Sequence, residues 1–302
     1  MIRRFSCALA VVVWLFSQIA VAANHAERNT QHDMRRNLNE QTPTFPVGKS
    51  YDEILDRGWM SLGVYANFPP WSFKQDGKLV GIDVDLAREI AKIIGVDARI
   101  EELPAGENVD GDLRNFVWKG PVVGGSVVNV MLHVPYHQEL QIRNNLVVLT
   151  GKYASESLGL GYHKKRAGST LAAFRFATLG VEIDTLADHL ALQVYGGTLT
   201  SNLKHYSNVS SMKQDLMGAE LDGVFAQKAE VEYLLRGLEN FDTVVPVLPG
   251  YGSPSWQLGV AVHHAYRALG YVIDDAIAEL IANGQMEQIF ANYGVSWLPP
   301  ER

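Results

Sequence analysis

The sequence predicts an α/β protein, and three observations carry that reading. From Tyr51 onward, short apolar runs of strand length alternate with amphipathic stretches of helix length. Glycines and turn dipeptides punctuate the joins. The stretch is also long enough to bury a large core without covalent cross-links.

In chain order, Met60–Val64 reads as the first strand. Phe68-Pro69-Pro70-Trp71 follows as an aromatic corner, stiffened by two prolines that should hold Phe68 and Trp71 exposed. The alternative is that both rings are simply core. Asp76-Gly77 is a turn dipeptide. A helix then runs from Asp83 to Ile94: Leu86, Ile90, Ile93 and Ile94 share one face, Asp83 or Asp85 can cap it, and Gly95 stops it. Further strands are expected at Ala98–Glu101, Leu146–Leu149, Leu158–Tyr162, Phe176–Val181, Asp222–Ala226 and Leu258–Val262. Helices are expected at Leu186–Val194, Ser211–Met217, Ala229–Arg236, Tyr271–Asn283 and Met286–Tyr293. Periodicity alone leaves open one large sheet or two lobes.

The amino end has the pattern of a secretory signal. Arg3 and Arg4 precede an apolar run, Cys7 to Val21, that is short for a membrane span, and Ala20-Val21-Ala22 offers a cleavage site. An uncleaved anchor is the alternative. Cys7 is the only cysteine and would leave with the signal, so the mature chain would hold no disulfide and no thiol nucleophile. Removal of Arg3 and Arg4 leaves 24 Lys and Arg against 33 Asp and Glu, a mature net charge of −9. That charge argues against nucleic acid and anionic membrane surfaces as partners. Residues 23–50 are polar and aperiodic and read as a flexible leader.

The segment VYANFPPWSFKQDGKLVGIDVDLAREIAKIIGVDARI, Val64 to Ile100, resembles the opening of the bacterial extracellular solute-binding proteins of family 3, the amino-acid-type receptors of ABC importers. The order of further segments extends the resemblance over roughly Met60 to Trp297: WQLGVAVH at Trp256–His263 and IDDAIAELIANGQMEQIFANYG at Ile273–Gly294. It implies a type II periplasmic-binding-protein fold, two α/β lobes joined by two crossovers with a ligand cleft between them. Ser157–His163 would be the outgoing crossover and Trp256–His263 the returning one. Lobe one would take residues 51–157 and 251–302, and lobe two residues 158–250.

The resemblance also implies site residues. Phe68 takes the place of the aromatic that packs on the ligand, with Trp71 beside it. Tyr65 stands where relatives that prefer basic side chains carry an aspartate, and a phenol supplies no fixed charge. Arg143 falls in register with the arginine that clamps the ligand carboxylate when counted back from Tyr153, and misses it by two residues when counted forward from Asn129. It is a clamp or an exposed helix charge. Thr185 keeps the hydroxyl of the lobe-two anion loop, but Asp184 replaces its glycine. Beside a ligand carboxylate Asp184 would cost several kcal/mol at an effective dielectric near ~20, so it reads better as a helix cap worth about 1 kcal/mol. Gln227 replaces the aspartate that pairs with the ligand ammonium, which points to changed or lost amino-acid specificity.

Val122–Leu140 departs furthest from the family. Gly124-Gly125-Ser126 suggests a turn, and His133 and Tyr136 suit a cleft-lining polar role. His133 and His137 have metal-ligand spacing on a helix, but Pro135 argues against a regular helix there, and no metal is expected. No nucleophile elbow, P-loop or zincin motif is present, and no carboxylate pair is isolated in apolar surroundings, so neither catalysis nor a cofactor is expected. Two functions remain. One is a monomeric periplasmic receptor that closes on a small polar organic solute and docks on an inner-membrane ABC permease. The other is an accessory protein of the MoxJ type, partnered with a periplasmic quinoprotein dehydrogenase.

Overall fold

The structure, a computed structural model, describes residues 49–121 and 126–301. The signal segment, nearly all of the leader, and Gly124 and Gly125 lie outside the described residues. The described part opens with a short helix. Ser50 and Glu53 form a capping box that starts helix α1, Tyr51–Arg57.

Strand β1 (Trp59–Tyr65) pairs in parallel with β4 (Asp97–Leu103) and with β5 (Val130–Pro135). Between β1 and β4 lie a hairpin, β2 (Phe73–Gln75) and β3 (Lys78–Val80), and helix α2 (Ile82–Ile94). Asp76 and Gly77 have φ 51° and 76°, the left-handed pair that a two-residue hairpin turn needs.

Helix α2 starts one residue before the expected aspartate, and neither Asp83 nor Asp85 caps it. Gly81 is the N-cap, and the Pro70 and Trp71 carbonyls accept from the Ile82 and Asp83 N–H groups at 3.0 and 2.9 Å. The proline corner thus supplies the acceptors that the first helical turn lacks. A Cβ on Gly81 would sit 2.2 Å from the Trp71 carbonyl oxygen, so this close approach requires glycine.

Strand β6 (Val147–His163) corrects the sequence reading most. Two separate strands were expected, with Ser157–His163 alone as crossover; one seventeen-residue strand covers both. Its first part pairs antiparallel with β11 (Ser255–His263) from Val147 to Ser157, and its last part with β9 (Gly223–Gln227) from Leu158 to Tyr162. Gly151, Lys152, Ser155 and Glu156 break the apolar pattern in sequence. In space Gly151 and Lys152 sit at a register shift, where Gly151 takes φ 56° and a Cβ would meet Ile277 Cδ1 at 2.7 Å, while Ser155 and Glu156 pair in register with Gln257 and Trp256.

The sheet runs β4-β1-β5-β11-β6-β9-β7-β8, with β7 Leu179–Glu182, β8 Leu203–Tyr206, and β10 (Phe241–Val244) paired to the end of β6. Three short helices, α3 (Val109–Leu113), α4 (Gln138–Arg143) and α6 (Lys213–Met217), lie in the connections. Longer ones cover the sheet: α5 (Leu186–Gln193) and α7 (Lys228–Leu235) in the second half, and α8 (Arg267–Ala282) and α9 (Gln285–Asn292) in the first. The strand expected from Phe176 starts instead at Leu179, because Leu171–Arg175 forms a 3-10 turn and Phe176 is exposed.

Apolar packing follows the same division. One cluster joins α2, α8 and α9 to β1, β5 and β11 through Leu86, Ile90, Ile273 and Phe290. Another joins β6, β7 and α5 through Leu160, Phe174, Leu179 and Leu190. Trp256 packs against both. No helix among the described residues is long and apolar enough to cross a membrane.

Candidate ligand-binding cleft

The carboxyl ends of β1, β5, β7 and β9 converge on one cleft, the place where open α/β sheets bind ligands. It holds three connected hollows. The first, about 540 Å³, is lined by Tyr65, Phe68, Asn108, Asp112 and His133. The second, about 280 Å³, is lined by His137, Thr185, Val209 and Glu230. Pro135, Glu182, Gln227 and Trp256 border both. The third, about 330 Å³, opens beside Phe73 and Lys74, and Glu182 borders all three. A separate hollow of about 600 Å³, at His163, Arg166 and Phe241, lies by the amino end of β9 and gathers no comparable set of side chains.

On the first wall, the carboxylates, phenols and imidazole are satisfied by one another, whereas the buried Trp71 Nε1 behind them has no partner. Asp83, on the first turn of α2, is wholly buried. The Tyr153 hydroxyl donates to it at 2.8 Å, and His133 Nδ1 lies 3.1 Å from its other oxygen. Burial and Asp83 together push the Tyr153 phenol well up, which keeps it a donor. His133 has φ 60° and sits edge-on to Trp71, Phe68 and Tyr65, with centroids 4.5, 5.0 and 6.3 Å away. The Tyr65 hydroxyl donates to Asp112 Oδ2 at 2.8 Å, and the Gly106 N–H donates to Oδ1 at 2.8 Å. Burial first, then Asp112, drives the Tyr65 phenol far above its ordinary range.

The opposite wall is less complete. Glu182 ends β7, and the Val209 N–H donates to it at 3.1 Å. Glu230, in the first turn of α7, is buried and accepts from the Gln227 backbone N–H. Burial, followed by the nearby Glu182 and Glu156, holds its carboxyl well above the usual range. Burial likewise raises Glu182, and it pushes Glu156, whose carboxylate accepts from the Ser157 N–H at 2.7 Å, up to about 7. The expectation that no carboxylate pair is isolated in apolar surroundings is therefore corrected by Glu156 and Glu230, both buried and near each other. Gln227 Oε1 is buried and has no hydrogen-bond partner.

Of the residues expected at the site, Tyr65, Phe68, His133, Thr185 and Gln227 line the cleft. Trp71 does not: it is wholly buried behind His133 and Phe290, so the prolines seat it in the core rather than expose it. Tyr136 lines none of the three hollows and packs beside Gly259, with Lys152 Nζ 5.6 Å from its ring. Arg143 is the exposed charge on a short helix, Gln138–Arg143, paired to Asp110 at 3.2 Å and absent from the lining. Asp184 does not cap α5. That role belongs to Thr185, whose Oγ1 accepts from the Asp188 N–H at 3.3 Å and donates to the Glu182 carbonyl at 2.8 Å. Asp184 is exposed at φ 62°, with its N–H donated to Asp188.

Sequence reasoning missed Asp112, Glu182, Glu230 and Trp256. Glu182 had a signal, a lone carboxylate closing an apolar strand just before a helix cap. Among the described residues no group of three or more His, Cys, Asp or Glu is placed to hold a metal ion.

The family model for bacterial extracellular solute-binding proteins, family 3, matches residues 60–114. Over that stretch, from β1 into the helix after β4, the chain is similar to that family. It is 21% identical over 241 residues to the L-cystine-binding protein TcyJ of Escherichia coli (strain K12), covering 79% of this chain and 83% of that protein. It is 23% identical over 257 residues to ABC transporter arginine-binding protein 1 of the same strain, covering 82% and 93%. Among solved structures, an ancestral cationic amino acid solute-binding protein superposes with a TM-score of 0.65 at 17% identity, over 81% of this chain and 99% of that one. A polar amino acid ABC uptake transporter substrate-binding protein from Streptococcus thermophilus gives 0.62 at 17% identity, over 84% and 92%. One similar structure, at 0.56 and 17% identity over 81% and 98%, is an ancestral amino-acid-binding protein described as a precursor of cyclohexadienyl dehydratase. The structural likenesses bear out the type II periplasmic-binding-protein fold.

Proposed function

We propose that this chain is an exported solute receptor, which binds a small polar organic molecule in the cleft, closes on it by hinge motion, and delivers it to an ABC permease. The observation that carries the reading is the cleft itself. Hollows at the carboxyl ends of four strands share Glu182, Gln227 and Trp256, and Trp256 touches the cores of both halves, so a molecule held there contacts both. In this reading the halves are the lobes 51–157 with 251–302, and 158–250; the mature protein is monomeric and periplasmic and performs no chemistry. The relatives described above are amino-acid and cystine binders, and the accessory role beside a quinoprotein dehydrogenase draws no support from them.

Native mass spectrometry of the gently purified mature protein, followed by thermal shift with amino acids, amines and organic acids, tests the reading. A co-purified molecule, or a rise of several degrees with one compound class, supports it. An empty cleft with no shift overturns it, and turnover of the bound compound would replace it with catalysis by the buried carboxyls.

A further inference from the structure

We propose that the cleft takes a donor-rich organic cation that carries no carboxylate, its charge received by Glu182 and Glu230 on one wall and by Asp112 on the other. The inference rests on the receptor reading and narrows its ligand. Each of the three carboxylates is held by neutral donors alone. Asp112, 3% exposed, takes the Tyr65 hydroxyl and the Gly106 N–H. Glu182 takes the Val209 N–H, and Glu230, 8% exposed, takes the Gln227 backbone N–H. None of them forms an ion pair with a lysine or arginine among the described residues.

A second observation is independent of charge. The Gln227 side-chain oxygen, on the border of the first two hollows, is a buried acceptor with nothing to accept from. An unmet buried acceptor calls for an N–H or O–H from outside the chain. The third is the lack of any cation to receive an acid. No lysine or arginine lines the first two hollows, and Lys74 at the edge of the third is committed to Glu102 at 2.8 Å. Arg143, which the resemblance offered as the carboxylate clamp, is turned to Asp110. A zwitterion entering this cleft would present its carboxylate to three others with no counter-charge. An amine would meet acceptors, with the Phe68, Tyr65 and Trp256 rings for its alkyl stem. Burial raises the carboxyls of both Glu182 and Glu230, the latter pushed further by Glu182 and Glu156, and no cation lowers either.

Isothermal titration of the mature protein with matched pairs tests this, because each pair differs only in its carboxylates: agmatine against L-arginine, and cystamine against L-cystine, with succinate as the anionic control. The expected result is that the amine of at least one pair binds, at least tenfold more tightly than its amino acid, and that succinate gives no heat. Glu182→Gln should weaken the amine at least tenfold while its circular dichroism and melting temperature stay close to the parent's. Equal or tighter binding of the amino acid, or binding of succinate, overturns the ligand class and leaves the receptor reading standing. If amines bind but Glu182→Gln leaves their affinity unchanged, the assigned carboxylates are wrong. Binding by no member of the panel removes the ligand class and the receptor reading together.

Discussion

The two walls of the cleft treat their polar groups in opposite ways. On the first wall Asp83, Tyr153, His133, Tyr65 and Asp112 are joined in short hydrogen bonds and packed against aromatic rings. On the other, Glu182, Glu230 and Gln227 lie close together with few donors, and one acceptor has none. A buried polar group left unpaired costs about 1–3 kcal/mol; the first wall carries one at Trp71 Nε1, sealed in the core, and the second carries one at Gln227 Oε1, on the border of the cleft. The lesson is that residues of similar chemistry serve different ends: the first wall holds the fold, and the second is open to a ligand.

The largest effect should come from the first wall. Trp71→Ala, which empties a wholly buried site against His133 and Phe290, is expected to cost about 3–5 kcal/mol in urea unfolding. A cost under about 1 kcal/mol would mean that the corner is not part of the core.

Next in size is a pH effect seated at the junction of the halves. Burial raises the Glu156 carboxyl to about 7, above its unfolded value, so its protonated form is favoured in the folded state. Its contribution is whole below about pH 4.5 and is lost as the pH rises towards 7, a change of the order of 3 kcal/mol. Urea midpoints at pH 5 and pH 7.5 should therefore diverge less in Glu156→Gln than in the parent. An unchanged pH slope would place the titration elsewhere.

Gln227→Leu sharpens the contrast from the second wall. Replacing an orphaned acceptor with an apolar side chain of similar size should raise stability by about 1 kcal/mol and abolish ligand binding. A clear loss of stability would show that the oxygen has a partner in solution. The smallest effect belongs to Arg143→Ala. An exposed pair with Asp110 is worth about 0–1 kcal/mol, and ligand affinity should not move.

The sequence made the outline of the fold legible because its local signals are strong. Helix α2 shows a clean apolar face and a terminal Gly95, Asp76-Gly77 marks its turn, and β9 and β11 are apolar runs of strand length. The length of β6 was hidden because polar residues at its middle face a register shift and the edge of a core, not a turn. The site was less legible. Trp71 and Phe68 flank the same prolines, yet one is buried and the other lines the cleft, a difference set by α8 and α9 packing from more than 190 residues away. The carboxylates of the second wall gain their character from burial and from one another, which no local pattern encodes.

The placement of β11 has a consequence for the order of assembly. Strands β5 and β6 do not pair with each other; β11 sits between them and pairs with both. As the chain emerges from its amino end, the centre of the first sheet stays vacant until a strand about 100 residues downstream of the start of β6 arrives. The stretch from Leu158 to Val244, by contrast, carries β7, β8, β9 and β10 without interruption. It can therefore become ordered while its companion still waits. Pulse-labelled hydrogen exchange during refolding should find β7 and β9 amides protected ahead of those in β5, and the reverse order would mean that the late strand is recruited from the outset.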